Sequence, residues 1–338
     1  MTFALRALSD LTGLADSLPS ADAAAAEGAR ARQDSLTKPP GSLGRLEEIA
    51  EFMAAWRATA RPEIWKAQAL VFAGNHGICA QGVNPYPQEV TAQMVANFQN
   101  GGAAINQLCR VSGAELDVIA LDLDRPTGDF TQGPAMSEAE TLDALNRGAA
   151  AVDDGADVLI LGEMGIGNST VAAALTTACF GGSVADWVGP GTGSDPAGIA
   201  RKADAIDRGL KRHASARGDA GAMLSALGGR EQAAICGAVL AARAARIPVI
   251  LDGFICTAAA AVLYAADPRL LDHCLVGHAS AEPGHRKLLA AISKRPVLEF
   301  EMRLGEGSGA ALALGIVRAA LACHNGMATF GEAGVSGA

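Results

Sequence analysis

A carboxylate raised on a glycine-rich turn is the first feature of this 338-residue chain that could do chemistry. Glu306 stands between Gly305 and Gly307 in LEFEMRLGEGSGAALALGIV, after a strand-like run and before a long apolar helix. That setting partly withdraws the carboxylate from water and raises its pKa toward the range a general base needs. The position equally suits an acidic residue that complements the dipole of the following helix, and residue chemistry alone slightly favours that plainer role. A second segment, DVLILGEMGIGNSTVAAAL, leads from an apolar run through Glu163, Met164, Gly167, Asn168, Ser169 and Thr170 into an Ala-rich helix. Backbone N–H groups, two hydroxyls and a helix N-terminus gathered at one place make a candidate phosphate site. A tight strand-to-helix turn with Ser169 and Thr170 as ordinary caps accounts for the pattern about as well. The loop has neither the lysine of a P-loop nor the spacing of a dinucleotide fingerprint.

Three other loops carry polar residues of interest. GPGTGSD, Gly189 to Asp195, offers Thr192 and Gly193 to a sugar phosphate, and Lys202 on the following helix could neutralise its charge; a surface turn followed by a solvated lysine is the commoner case. In FAGNHGICAQGVNPYPQEVTAQMV, His76 could carry a proton, although a lone histidine beside Gly and Asn is more often hydrogen-bonded scaffold. The turn Tyr86, Pro87, Gln88 could present an apolar face and an amide to a flat ring. VGHASAEPGHRKLL supplies His278, Ser280, Glu282, His285 and Arg286. Its two histidines flank a Pro-Gly turn, so no metal spacing results, and no cofactor is expected.

These loops need elements to hold them. Short apolar or β-branched runs at 69 to 74, 116 to 123, 157 to 162, 247 to 253, 274 to 278 and 297 to 304 alternate with helical stretches. Such alternation predicts βαβ units and a parallel α/β sheet, whose ligands bind beyond the carboxyl ends of the strands. Leu5, Leu8, Leu11 and Leu14 recur at near-helical spacing, as do Leu46, Ile49, Phe52 and Met53. Between them LTKPPGSLGRLE breaks any helix, with Ser42 as a candidate N-cap. Ser308 to Cys323 reads as a long Ala/Leu helix before a Gly-rich tail. The expected organisation is a small helical domain from residues 1–65 and 306–338 beside a large α/β domain, 66–305.

Composition narrows the function class. With 50% hydrophobic residues the chain can bury a large core, so disorder does not dominate. A net charge of −9 without a basic block gives no footprint for nucleic acid, and the expected partner is a small molecule. Seven scattered cysteines without a C-x-x-C pair suggest reduced thiols rather than a disulfide or zinc framework. The N-terminus lacks the layout of a signal peptide, and no apolar run is long enough for a membrane span, which points to the cytoplasm.

Taken in order, LTKPPGSLGRLE, GNHGICAQGVNPYPQEVTAQMV, GEMGIGNSTVAAAL, GPGTGSD, LGGREQAAICGAVLAA, PVILDGF, GHASAEPGH and MRLGEGSGAALAL resemble the motifs of the nicotinate-nucleotide:dimethylbenzimidazole phosphoribosyltransferases. The resemblance covers nearly the whole chain. It implies a homodimeric enzyme of cobalamin nucleotide-loop assembly, with a Rossmann-like parallel sheet and a small helical domain. Its substrates would be nicotinate mononucleotide and 5,6-dimethylbenzimidazole. The resemblance places the family's catalytic glutamates on Glu306 and Glu163. It places the phosphate and ribose contacts on Gly167, Asn168, Ser169, Thr170, Thr192, Gly193 and Lys202. Tyr86, Pro87 and Gln88, with Met164 and Leu304, are expected around the benzimidazole. Asn75 stands where relatives have Asp before His-Gly.

Two other classes remain to be discriminated. A nicotinamide-dependent oxidoreductase would share the fold class, but FAGNHG stands where its G-x-G-x-x-G should follow the first strand. A non-catalytic nucleotide-binding protein would keep the phosphate loops without depending on Glu306.

Overall fold

Six short strands alternate with helices along the chain, and the central strands are buried at nearly every position, so both faces of one sheet are covered. The computed structural model describes residues 3–336. After two 3-10 turns, α1 (Ala23–Ser35) and α2 (Arg45–Arg57) precede β1 (Ala67–Ala73), α3 (Glu89–Gln99), α4 (Ala104–Ser112) and β2 (Ala114–Ala120). Then come α5 (Glu138–Ala150), β3 (Val158–Met164), α6 (Asn168–Phe180), α7 (Pro196–Arg212), α8 (Ala220–Leu227) and α9 (Arg230–Ala244). The chain closes with β4 (Val249–Leu251), α10 (Phe254–Ala266), β5 (Cys274–His278), α11 (Pro283–Ala291), β6 (Pro296–Leu298), α12 (Ser308–Gly326) and α13 (Phe330–Ala333).

All strand pairs are parallel, in the order β2-β1-β3-β4-β5-β6. The expected α/β class and flanked parallel sheet are therefore present. Leu70, Phe72, Leu159, Leu161, Val249 and Leu251 point to one face, packed with residues of α5, α6, α8, α9 and α10. Their neighbours Ala69, Val71, Val158, Ile160 and Ile250 point to the other, against α2, α4 and α12. Successive side chains on a strand face opposite ways, so a sheet covered on both sides needs such runs apolar throughout.

The two chain ends meet. Leu36 bridges Thr329, and the Arg32 guanidinium donates to the carbonyls of His324, Asn325 and Met327 at the end of α12. The division expected at 65 and 306 has no core of its own, however. Ile49 and Met53 of α2 and Leu314 and Val317 of α12 share one buried cluster with the sheet. These helices form a layer on the sheet because their apolar stripes find its face directly.

Several local expectations change. The N-terminal leucines fall in 3-10 turns, Leu8–Leu11 and Leu14–Ser17. Helix α2 is capped by Gly44 at φ 52°, and Ser42 instead closes a turn onto the Pro39 carbonyl. The last strand ends at Leu298, short of the run expected to 304, and Glu301 three residues on takes φ 54°, outside the strand region. From there residues 299–307 arc over the carboxyl edge of the sheet. All seven cysteines are free, four of them buried.

Helices α5 and α9 approach through glycines: a Cβ on Gly237 would lie 1.8 Å from the Leu145 carbonyl oxygen, and one on Gly148 1.9 Å from that of Ala234. Gly237→Ala is expected to lower stability by about 1–3 kcal/mol through forced separation of the pair. A urea titration that leaves the midpoint unmoved would refute that contact.

Candidate active site

Sheet order reverses beside β1, and the loops that follow the strands part there to leave a crevice. A cleft opens at the carboxyl ends of β3, β4 and β5. The arc before α12 supplies Arg303 and Leu304, and the loop after β1 supplies Asn84 and Pro85.

Glu163 ends β3 and Glu306 opens the turn before α12, both lining the cleft and nearly buried, at 5% and 6% exposure. Gly305, Glu306 and Gly307 are all left-handed, with φ of 84°, 65° and 86°. For Glu306 this conformation costs energy, and it persists only because the surroundings fix it. What fixes it is Gly162, whose missing Cβ would sit 2.5 Å from the Gly307 nitrogen and 2.6 Å from the Glu306 carbonyl. Asp252, at the end of β4, clamps the turn from behind by accepting the N–H groups of Gly307 (3.1 Å) and Ala310 (2.9 Å).

That clamp bears on both roles open to Glu306. The role of anion at the N-terminus of α12 is taken by Asp252, which leaves Glu306 Oε2 buried without a hydrogen-bond partner among the described residues. Burial pushes the Glu306 carboxyl up to about 7, with the negative charge of Asp252 adding to it. Glu163 is pushed up to about 8, first by burial, then by Asp252 and Glu231; the Asn168 amide, which donates to Glu163 Oε2, opposes the shift.

The same cleft also holds groups that suit an anion. Gly167, at φ 96°, precedes α6, and no side chain caps the helix. Ser169 in its first turn accepts from Lys202 Nζ at 3.2 Å. Lys202 is buried and also donates to the carbonyls of Gly189 and Pro190. Burial lowers its pKa, and the Glu282 charge partly restores it. Thr192 lines the same wall, and Arg303 holds the Gly191 carbonyl at 3.0 Å.

Paired carboxylates, a helix N-terminus and a buried lysine lining one cleft are the groups that a phosphorylated sugar with a reacting centre would call for. A family model described as Phosphoribosyltransferase matches residues 18–335. The nicotinate-nucleotide–dimethylbenzimidazole phosphoribosyltransferase of Rhodobacter capsulatus is 69% identical over 98% of this chain and 99% of its own. That of Roseobacter denitrificans is 58% identical over 99% of each. The crystal structure of CobT from Thermus thermophilus superposes with a TM-score of 0.87 at 41% identity, covering 93% of this chain and all of that one. The chain belongs to this phosphoribosyltransferase family.

Within the enzyme, the cleft gathers most of the site residues expected from sequence. Glu163, Met164, Gly167, Asn168, Ser169, Thr192, Lys202, Leu304 and Glu306 all line it. Thr170 does not: it is fully buried as the third residue of α6, and its N–H closes the turn onto Gly167. Gly193 faces a shallower hollow beside Val83 and Arg201. Pro87 and Gln88 border another hollow with His76 and Cys79, and the Gln88 amide is spent on the His76 carbonyl. Tyr86 projects outward at 49% exposure. From the same loop it is Asn84 and Pro85 that reach the cleft.

The three histidines separate. His76 Nε2 lies 2.7 Å from Glu231 Oε1, both fully buried, with His76 packed against Gly165. His285 accepts the Ser280 N–H at 2.8 Å and lies 3.2 Å from the Thr257 hydroxyl; burial drives its pKa down to about 3, so it is neutral scaffold. His278 lines the cleft with Nε2 3.6 Å from Asp252. Asp252 itself escaped the sequence reading, although its place at the end of PVILDGF, a strand running into a glycine, was the available signal.

Raised carboxyl pKa values carry a stability consequence of definite sign. An unfolded glutamate titrates near 4.3, so between about pH 4.3 and the folded value the native state binds more protons and stability falls as pH rises. Glu306 completes its fall near pH 7 and Glu163 near pH 8. Glu163→Gln and Glu306→Gln are therefore expected to melt higher than the wild type at alkaline pH, with the gap closing in acid. Melting curves that run parallel to the wild type at every pH would contradict this electrostatic account.

Proposed function

We propose that the enzyme transfers the 5-phosphoribosyl group of nicotinate mononucleotide to 5,6-dimethylbenzimidazole with inversion at C1, forming α-ribazole 5′-phosphate and nicotinate for cobalamin synthesis. The observation that carries the mechanism is Glu306: a buried carboxylate with one unpartnered oxygen, held by a left-handed turn in the cleft that also holds the anion groups. The phosphoryl group binds at the N-terminus of α6 with Ser169 and Lys202, where helix dipole and ammonium both favour it. That anchorage sets C1 between leaving ring and incoming ring and converts their encounter into an oriented reaction.

The pyridinium of the mononucleotide leaves with the electron pair of the N–C1 bond and departs as a neutral ring, so no general acid is needed. The benzimidazole lone pair attacks C1 from the opposite face, and the proton on its second nitrogen becomes acidic and passes to Glu306. Glu163, oriented by Asn168, stands against the positive charge that develops on the ribosyl ring, as carboxylates do at other glycosyl centres. The cationic substrate also favours the ionised forms of these carboxyls, opposing the burial that raised them. Met164, Leu304, Pro85 and Phe254 offer apolar surface to the flat rings. Replacement of Tyr86 or Gln88 is the test of the sequence-based benzimidazole assignment, which the cleft lining does not favour.

The base must be ionised to act, so kcat/KM should climb with pH and level off above about 7. Glu306→Gln should reduce turnover of the two substrates about 10²–10⁴-fold and abolish that limb. Full turnover in this variant sinks the base assignment, and inactivity of the wild type toward both substrates sinks the transferase reading.

We also propose a cytoplasmic homodimer. Phe300 and Leu304, 63% and 54% exposed on the arc over the cleft, support a partner surface there. Light scattering is expected to give the mass of two chains, and a single-chain mass at micromolar concentration would count against it.

A further inference from the structure

Beside the anion groups of the cleft stands a carboxyl that the transfer step does not use. Glu282 follows β5 at the head of α11 and borders the cleft at 7% exposure. Its Oε1 accepts the Gly191 N–H at 2.9 Å, and its own N–H is held by the Ser280 hydroxyl at 3.3 Å. Oε2 is buried without a partner among the described residues. The fit is close: a Cβ on Gly189 would lie 2.2 Å from Oε2. Glu282 therefore pins the same turn that supplies Gly191 and Thr192 to the cleft.

The charges around it are few. Lys202 faces it from α7 and Arg303 from the arc before α12; both favour its ionised form, while burial opposes it more strongly and raises its pKa. Lys202 in turn has only neutral hydrogen-bond partners, Ser169 and two carbonyls. On α11 itself, His285 is neutral, Lys287 is engaged with Asp186 and Arg286 with Glu299, all directed elsewhere. His278 lines the cleft from β5 and faces Asp252. Without substrate, one buried anion and one buried cation balance each other. A phosphoryl dianion disturbs that balance, because its charge meets an existing carboxylate on the turn that must receive it, and desolvated like charges repel strongly.

We infer that Glu282 takes up a proton from solvent as the phosphoryl group binds, changing from the counter-charge of Lys202 into a neutral carboxyl that still holds the Gly191 turn. The inference rests on the placement of the phosphoryl group proposed above. Glu282 is then a specificity device: it accepts a dianion only with a proton, and it loosens the site toward phosphates as pH rises.

Inorganic sulfate is the probe of choice, since its own charge is constant across about pH 6 to 9 and any proton taken up belongs to the protein. Titration calorimetry in buffers of different ionisation enthalpy should give uptake approaching one proton per sulfate where free Glu282 is ionised. Affinity should fall up to about tenfold per pH unit there. Glu282→Gln, which keeps an oxygen for the Gly191 N–H, should bind sulfate without proton uptake and with pH-independent affinity, whereas Glu282→Asp should retain uptake. Wild-type binding without proton uptake overturns the inference whatever the variants do. Equal uptake in Glu282→Gln overturns it as well and moves the proton to another group lining the cleft. Failure of sulfate and nicotinate mononucleotide to bind at all removes the phosphate placement and this inference together. Turnover in the same preparation separates the cases: an active enzyme without proton uptake loses only the role of Glu282, and an inactive one loses the transferase reading.

Discussion

Everything at the reactive end of this molecule depends on one close approach, the backbone of Gly305 to Gly307 lying against Gly162 of β3. No side chain fits between them, since a Cβ on Gly162 would fall within 2.6 Å of three backbone atoms of the turn. The contact forces the turn into left-handed geometry, including Glu306, a residue that pays for that conformation. In return Glu306 and Glu163, which stand 143 positions apart in the chain, are brought to one wall of the cleft. Asp252 makes the arrangement rigid by taking the N-terminal N–H groups of α12. A carboxylate relieved of capping duty is free to act as a base.

The electrostatics follow from the same crowding. Asp252 raises the pKa of both glutamates, and all three carboxyls are held above their ordinary range mainly by burial. A site of this kind is poised for a cation, which neutralises the cluster on arrival. It is also a local source of instability, of the sort that catalytic sites retain when activity needs it. The anion groups have the complementary design, with a helix N-terminus and a buried lysine whose own pKa is lowered by burial. The cleft thus brings acidic groups together with a helix N-terminus and a buried cation, as a phosphorylated sugar carrying a cationic ring requires.

The sheet supports this by supplying rigid ends for the strands. β3, β4 and β5 are buried along nearly all their length, so Glu163, Asp252 and His278 emerge from well-packed backbone. Two layers of small-residue helices cover the sheet, and glycines in α5 and α9 let these two helices of one layer approach closely. Alanine and glycine in such number are how a chain with few aromatics fills its interior at native density.

The sequence by itself determined the six parallel strands, since apolar runs separated by helical stretches admit little else, and it marked Glu306, Glu163, Ser169 and Lys202 because motif and position coincide on them. It could not assign Ser42, whose capping role passed to Gly44, nor end the last strand, because neither depends on residue preference more than on the turn geometry that follows. Asp252, His278 and Glu282 were legible only as polar residues at strand ends. Their roles depend on which strands become neighbours and on which backbone groups then come within hydrogen-bond range. The Tyr86 to Gln88 turn illustrates the same limit from the other side, for its amide was taken by the His76 carbonyl, a partner twelve residues away that spacing does not reveal. Local chemistry selects the candidates, but burial and the accounting of each hydrogen bond are properties of the packed whole, and these decide which candidates remain free to react.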